Sequence, residues 1–313
     1  MKYPYMRSHF IGACAAISIG LHCAPGAATE GGGSSYAAGS SMHLSGAMPP
    51  DPGFYGVVIP SYFSATRMND GDGDKVKFPG GFKVEAASLV HRSFYVWDTK
   101  ILGANLASQA VTALVKLDSD IAHHKDKDAG LADITISPAI LGWHFGQNLT
   151  MVLGYDVVVP VGKYDSSRSL NVGRNYWSHN IVTGLAYIDR DGLTFQISPR
   201  LLINQKNNDT DYKSGTEFEM DFIAGWSFGP LNLGVAGYYY KQLTDDEVGG
   251  SKIRANPLAG IFENGNRGEA FAIGPKASYF FGPATGTISW QPDLYSKNRT
   301  QGNTVWAHLA YKL

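Results

Sequence analysis

The sequence predicts an all-β fold, a transmembrane antiparallel up-and-down β-barrel of about twelve strands. Three observations predict it. Long stretches alternate apolar and polar residues with period two, short and long connections exchange places along the chain, and an export signal precedes a chain that keeps no cysteine.

The signal comes first and is expected to span residues 1–28. Lys2, Arg7 and His9 make a short positive end, an apolar run from Phe10 to Leu21 follows, and Ala24, Gly26, Ala27 and Ala28 supply the small residues of a cleavage region. Cleavage is expected near Ala28. The apolar run falls short of the roughly 20 residues of a spanning helix, which argues against a membrane anchor. Cys14 and Cys23 are the only cysteines and leave with the signal. The bulky His22 before Cys23 argues against a lipoprotein cleavage site. A cysteine-free mature chain excludes disulfide scaffolds and thiolate metal sites. The formal net charge of -1 offers no basic face for nucleic acid.

Residues 29–52 form a Gly/Ser/Pro-rich segment with a low-complexity stretch from Gly31 to Ser41. Such a segment is expected to be flexible and periplasmic, ahead of the barrel, or to fold into the lumen as a plug. The barrel is expected over 53–313. No later stretch is long enough for a membrane helix, so in a membrane this chain must close a barrel, where every backbone group is satisfied.

Period two is clearest from Glu217 to Phe228. Phe218, Met220, Phe222, Ala224, Trp226 and Phe228 share one face, opposite Glu217, Glu219, Asp221, Ile223, Gly225 and Ser227. Segments 149–161, 193–204 and 305–313 behave alike. These runs reach the roughly 9–11 residues that a tilted strand needs to cross hydrocarbon, against about 5–6 for a soluble strand. Strands are expected near 54–67, 82–97, 101–118, 131–144, 149–162, 179–189, 193–205, 216–228, 231–243, 269–281, 285–292 and 303–313. Tight connections at 98–100, 145–148, 190–192, 229–230 and 282–284 alternate with long polar ones at 68–81, 118–130, 162–178, 205–215, 244–268 and 292–302. Short periplasmic turns and longer external loops have this arrangement, and an even strand number places both termini in the periplasm. The ending Tyr311-Lys312-Leu313 fits the signal read by the barrel-assembly machinery, although Leu replaces the usual terminal Phe.

The charged residues set the phase. A Lys or Arg facing lipid near the midplane costs about 2–4 kcal/mol. Asp156, Arg200, Glu217, Glu219, Asp221, Lys276, His308 and Lys312 lie opposite the more apolar face and are expected in the lumen, joined by Tyr238 and Tyr240 if Leu231, Leu233 and Val235 meet lipid. They make either a selectivity lining or a salt-bridged network that fills a narrow barrel. His91 and Arg92 fit no clean phase, and a bulge there is one explanation.

Enzyme chemistry is weakly represented. Ser178-His179-Asn180 invites comparison with outer-membrane hydrolases, but neighbours in a strand point to opposite faces. His123, His124, Asp126 and Asp128 are better read as a solvated loop than as a metal site. The run Asn69 to Asp74 resembles part of a calcium loop, but Gly80 and Gly81 stand where its closing Glu is needed. No catalytic residues, metal or cofactor are expected.

Several runs resemble one known family. They are Gly130-Leu131-Ala132-Asp133, Leu141-Gly142-Trp143-His144, Pro160-Val161-Gly162-Lys163-Tyr164-Asp165, Asn171-Val172-Gly173-Arg174-Asn175-Tyr176-Trp177, the stretches Asp211 to Phe218 and Gly237 to Asp246, Gly265-Asn266-Arg267-Gly268 and Gly274-Pro275-Lys276. Over about residues 53–313 the chain resembles the MetA-pathway of phenol degradation family, outer-membrane transporter barrels. The resemblance implies a place in the bacterial outer membrane and passive diffusion of small hydrophobic or aromatic solutes. The partners it implies are outer-membrane lipid, those solutes and, during biogenesis, the barrel-assembly machinery. Arg174, Asn175, Tyr176 and Trp177 form a candidate extracellular mouth, where cation–π contact and stacking could hold an aromatic solute; the alternative is an interfacial girdle with a loop-packing Arg. A structural or surface-binding barrel with a closed lumen is the competing function, and a lipid hydrolase comes third.

Overall fold

A computed structural model describes residues 28–41, 46–256 and 261–313. The signal expected over 1–28 lies almost wholly outside them. The strands are β1 (Gly53–Met68), β2 (Phe82–Ile101), β3 (Ala104–Ile121), β4 (His124–Leu131), β5 (Ile134–Phe145), β6 (Leu149–Val159), β7 (Ser178–Ile188), β8 (Leu193–Asn204), β9 (Tyr212–Lys213), β10 (Glu217–Phe228), β11 (Leu231–Gln242), β12 (Glu247–Val248), β13 (Ser251–Lys252), β14 (Glu269–Phe280), β15 (Ala284–Lys297) and β16 (Thr300–Lys312). Every neighbour in the main sheet is antiparallel, β1 pairs with both β2 and β16, and the β2–β3 pairing completes the ring. β4 and β5 share one partner: β4 pairs along the upper part of β3 and β5 along its lower part. The barrel therefore has 12 strands around its girth.

Two connections expected to be long loops are strands instead. β3 runs to Ile121 and turns back at once through Ala122 and His123, whose φ values of 52° and 68° make the tight reversal. β15 and β16 likewise extend to Asn298, which has φ 48°. At the opposite end the turn expected at 98–100 belongs to β2, and the chain reverses at Leu102 and Gly103. The short sheet of β13, β12 and β9 ties two of the remaining long loops together over the outer end.

The β1–β2 register runs unbroken from Gly53 opposite Val96 to Ala65 opposite Val84. Arg92 consequently faces the lumen and His91 the outside, and the irregularity in β2 lies later, between Val96 and Lys100. Outward positions carry the exposed apolar side chains, among them Leu89, Leu114, Trp226 and Ile288. That is the lipid-facing band expected of a barrel whose backbone groups are all paired.

The inward faces fall into two halves. From β1 to β7 they present mainly aliphatic and aromatic groups, such as Val57, Ile59, Val90, Phe94, Ile140 and Val152. From β8 to β16 they are mainly polar and buried, with Gln196, Arg200, Glu217, Glu219, Asp221, Lys276, Gln291 and His308.

Candidate functional site

The polar half is held together by charge. Arg200 stands at its centre, with Nε 3.1 Å from Glu219 Oε2 in an ion pair too bent for a good hydrogen bond, and Nη1 4.0 Å from Asp156. Asp156 accepts the Ser137 hydroxyl, Gln109 Nε2 donates to Ser137 Oγ at 2.7 Å, and Arg92 Nε donates to Gln109 Oε1 at 2.5 Å. These residues form a belt from β2 to β10. Above it, Tyr240 donates to Glu217 at 2.8 Å, Asn204 donates to Glu217 at 2.7 Å and Tyr238 donates to Asp293 at 2.6 Å. Charges taken out of water persist only when so paired.

The segment ahead of β1 lies inside the barrel. At the long-loop end the Thr29 amide donates to Asp246 Oδ2 at 3.1 Å, and the Glu30 carboxylate accepts from Asn207 and from the Thr210 hydroxyl. Burial pushes the Glu30 carboxyl up, opposed by those hydrogen bonds and by Arg174. Halfway down, Asp221 accepts the Tyr36 hydroxyl at 2.6 Å and the Gly39 and Ser41 amides at 2.7 and 2.8 Å. The Arg200 guanidinium lies 3.4 Å from the Tyr36 ring centroid. His308 Nε2 meets the Ser40 carbonyl oxygen at 3.0 Å. Lower still, Gly46 lies flat on β7. A Cβ on Gly184 would fall 2.4 Å from Gly46 Cα, and one on Gly46 would fall 2.5 Å from the Leu185 nitrogen, so neither position accepts a side chain. Met48 then joins Phe94, Val96, Ala107, Ile140 and Val152 in an apolar cluster at the periplasmic end. Asn105 donates to the Pro50 carbonyl at 2.9 Å, just before β1 begins.

Between this segment and the apolar half lies a cavity of about 450 Å³. Val57, Ile59, Phe63, Val90, Val111, Val115 and Trp306 line it, with Arg92, Arg174 and Asp156 among its polar neighbours. The internal segment, not the barrel charge alone, thus fills the polar half.

The nine residues expected in the lumen (Asp156, Arg200, Glu217, Glu219, Asp221, Tyr238, Tyr240, Lys276 and His308) all point inward. Lys276 donates to Asn232 at 2.8 Å. Lys312, which shares their phase, is at the rim, 3.8 Å from Asp51. The four mouth residues do not share a surface. Arg174 turns in against the Gly-rich segment, where a Cβ on Gly33 would fall 1.8 Å from its Nη2. Asn175 ties to Asn207 and Asp209, Tyr176 is buried, and Trp177 is exposed on the outer side. Ser178 and His179 also part: Ser178 donates to Asn180 and Asn204 inside, while His179 meets Tyr155 and Gln205 outside. Sequence reasoning missed Gln109 and Ser137, which carry the belt across β3 and β5, and left Arg92 without a side.

An outer-membrane β-barrel whose own N-terminal segment occupies part of its lumen is what this fold and site define. The chain belongs to the family described as "MetA-pathway of phenol degradation", whose model matches residues 65–309. A crystal structure of an outer membrane channel from Pseudomonas putida F1 is similar, with TM-score 0.74 and 15% identity over 86% of this chain and 98% of that one. A Pseudomonas aeruginosa FadL homologue has TM-score 0.41 and 10% identity, covering 92% of this chain and 98% of its own. The CymD monoaromatic hydrocarbon channel has TM-score 0.41 and 7% identity, covering 84% and 89%. No curated protein sequence matches.

Proposed function

We propose that this protein lets small apolar and aromatic molecules diffuse passively across the outer membrane, through the apolar half of its lumen. The observation that carries this reading is the cavity of about 450 Å³ between the internal segment and the aliphatic wall of β1 to β6. A site on the order of 150 Å³ lined by such side chains already holds benzene, and removing a solute's apolar surface from water supplies the drive at about 25 cal/mol per Å². The family's link to phenol degradation agrees with that chemistry. Outer-membrane lipid around the exposed apolar band and the assembly machinery that reads the C-terminal strand complete the expected partners. Uptake of phenol and of toluene into liposomes with and without the protein tests the reading; equal rates would sink it.

One observation favours a second reading, a closed structural barrel. Met48 of the internal segment packs against Phe94, Val96, Ala107, Ile140 and Val152 across the lower part of the cavity. Passage then requires Gly46 to Pro50 to move, and a barrel in which they never move would stay silent in single-channel recording.

A further inference from the structure

Asp246 is 0% exposed in the loop after β11. Its Oδ1 accepts from the Gly215 amide at 2.8 Å and from Gln242 Nε2 at 2.7 Å. Its Oδ2 accepts from the Tyr212 hydroxyl at 2.6 Å, from Asn266 Nδ2 at 3.2 Å and from the Thr29 amide at 3.1 Å. All these donors are neutral. The nearby cations Lys252 and Arg267 pair with Asp245, and among the described residues no cation pairs with Asp246. A buried charge is costly without a counter-charge, and burial pushes this carboxyl up to about 6. Of its donors, only the Thr29 nitrogen can become a cation by a change in the chain itself.

We propose that the export signal is removed by hydrolysis of the Ala28–Thr29 peptide bond, and that the freed Thr29 α-ammonium pairs with Asp246 and pins the lumen segment by its end. This rests on residues 1–28 being an export signal and is independent of what the lumen conducts. Water supplies one oxygen of the new Ala28 carboxylate and both its protons to the departing nitrogen, which becomes the ammonium, and a leader peptidase supplies catalysis. Gly26-Ala27-Ala28 places small residues at both recognition positions before that bond. Ala24-Pro25-Gly26 would also serve, but its product begins at Ala27. Cleavage one residue before Thr29 would put Pro25 at the first recognition position and the new amine at Ala28, whose nitrogen donates to the Asn298 carbonyl at 2.7 Å and not to a carboxylate among the described residues.

The test uses the full protein purified from outer membranes. Intact mass is expected to correspond to residues 29–313. At neutral pH the Thr29 amine in the folded barrel should react with acetic anhydride at least about tenfold more slowly than in urea, since each unit by which an ion pair raises an amine pKa removes tenfold of the free base. Asp246→Asn should abolish that protection in protein whose heat-modifiable migration shows an intact barrel. Two glycines inserted between Ala28 and Thr29 move the amine away and should also abolish it, which keeps the test decisive if Asp246→Asn does not fold. A chain beginning at another residue, an equally reactive amine in folded and unfolded protein, or protection unchanged by either variant would overturn the proposal.

Discussion

The two halves of the lumen solve different problems with the same backbone. From β8 to β16 the wall is charged, buried and occupied: Asp221 and Arg200 hold Tyr36 to Ser41 of the internal segment. From β1 to β6 it is mainly aliphatic and lines the cavity, Arg92, Gln109 and Asp156 being polar exceptions. Charge inside a barrel therefore does not by itself mark a conduit. Here the charged half binds the chain's own segment, and the cavity lies along the apolar half. The belt from Arg92 through Gln109, Ser137 and Asp156 to Arg200 is where the halves meet.

The two halves differ most in what their arginines hold. Arg200→Met leaves Glu219 and Asp156 buried without their cation and is expected to cost about 3–5 kcal/mol. Arg92→Met loses one charge-assisted hydrogen bond to Gln109 and is expected to cost about 1.5–3 kcal/mol. Urea unfolding of the barrel in detergent measures both, and equal losses would mean that the halves are not distinct. Asp221→Asn weakens the charge-assisted grip on the segment by about 1.5–3 kcal/mol, so single-channel recordings should show more frequent conducting events with ordinary barrel stability. Gly184→Ala drives a methyl into Gly46, an overpacking cost of about 1–3 kcal/mol. It should raise conductance from the lower end while Asp221 still holds Tyr36. A conductance equal to wild type would show that Gly46 to Pro50 do not gate the lumen. The smallest effect is expected for Val90→Thr, which adds a hydroxyl to the cavity wall at a cost of about 1 kcal/mol to an apolar occupant. Toluene uptake should slow a few-fold while stability barely changes; faster uptake would argue against the apolar half as the route.

Much of the barrel is legible in the sequence, because lipid on one side and a lumen on the other impose strict alternation on the strands that cross hydrocarbon. Glu217, Glu219 and Asp221 betray their side through Phe218, Met220 and Phe222 between them. Where strands rise above the membrane, that pressure ends. Asp118, Asp120, Lys125 and Lys127 read as a solvated loop, yet they pair across a β3–β4 hairpin, Lys127 standing opposite Asp118 and 3.4 Å from it. The candidate site was legible only in part. Inward phase follows from local pattern, but the partner of each inward group does not. Tyr36 and Asp221 are far apart in sequence, and no local rule joins them. Glycines on inward strand positions, Gly142 and Gly184, are a signal that something must approach the wall closely there, and they mark the path of Gly46 and Met48.

An even strand count suggests a molecule with both ends on one side of the membrane, but the path of the internal segment changes this. β1 begins at the periplasmic rim, whereas Thr29 lies among the outer loops beside Asp246. With the leader removed before Thr29, as proposed above, the polypeptide is strung through its own tube and offers its two ends to two compartments. A peptide epitope joined directly ahead of Thr29 should be reached by antibody on intact cells, and the same epitope after Leu313 should be reached only once the envelope is broken. The span from Thr29 beside Asp246 to Pro50 at the foot of β1 thus runs the height of the barrel inside it, so the first strand is preceded by its own return path.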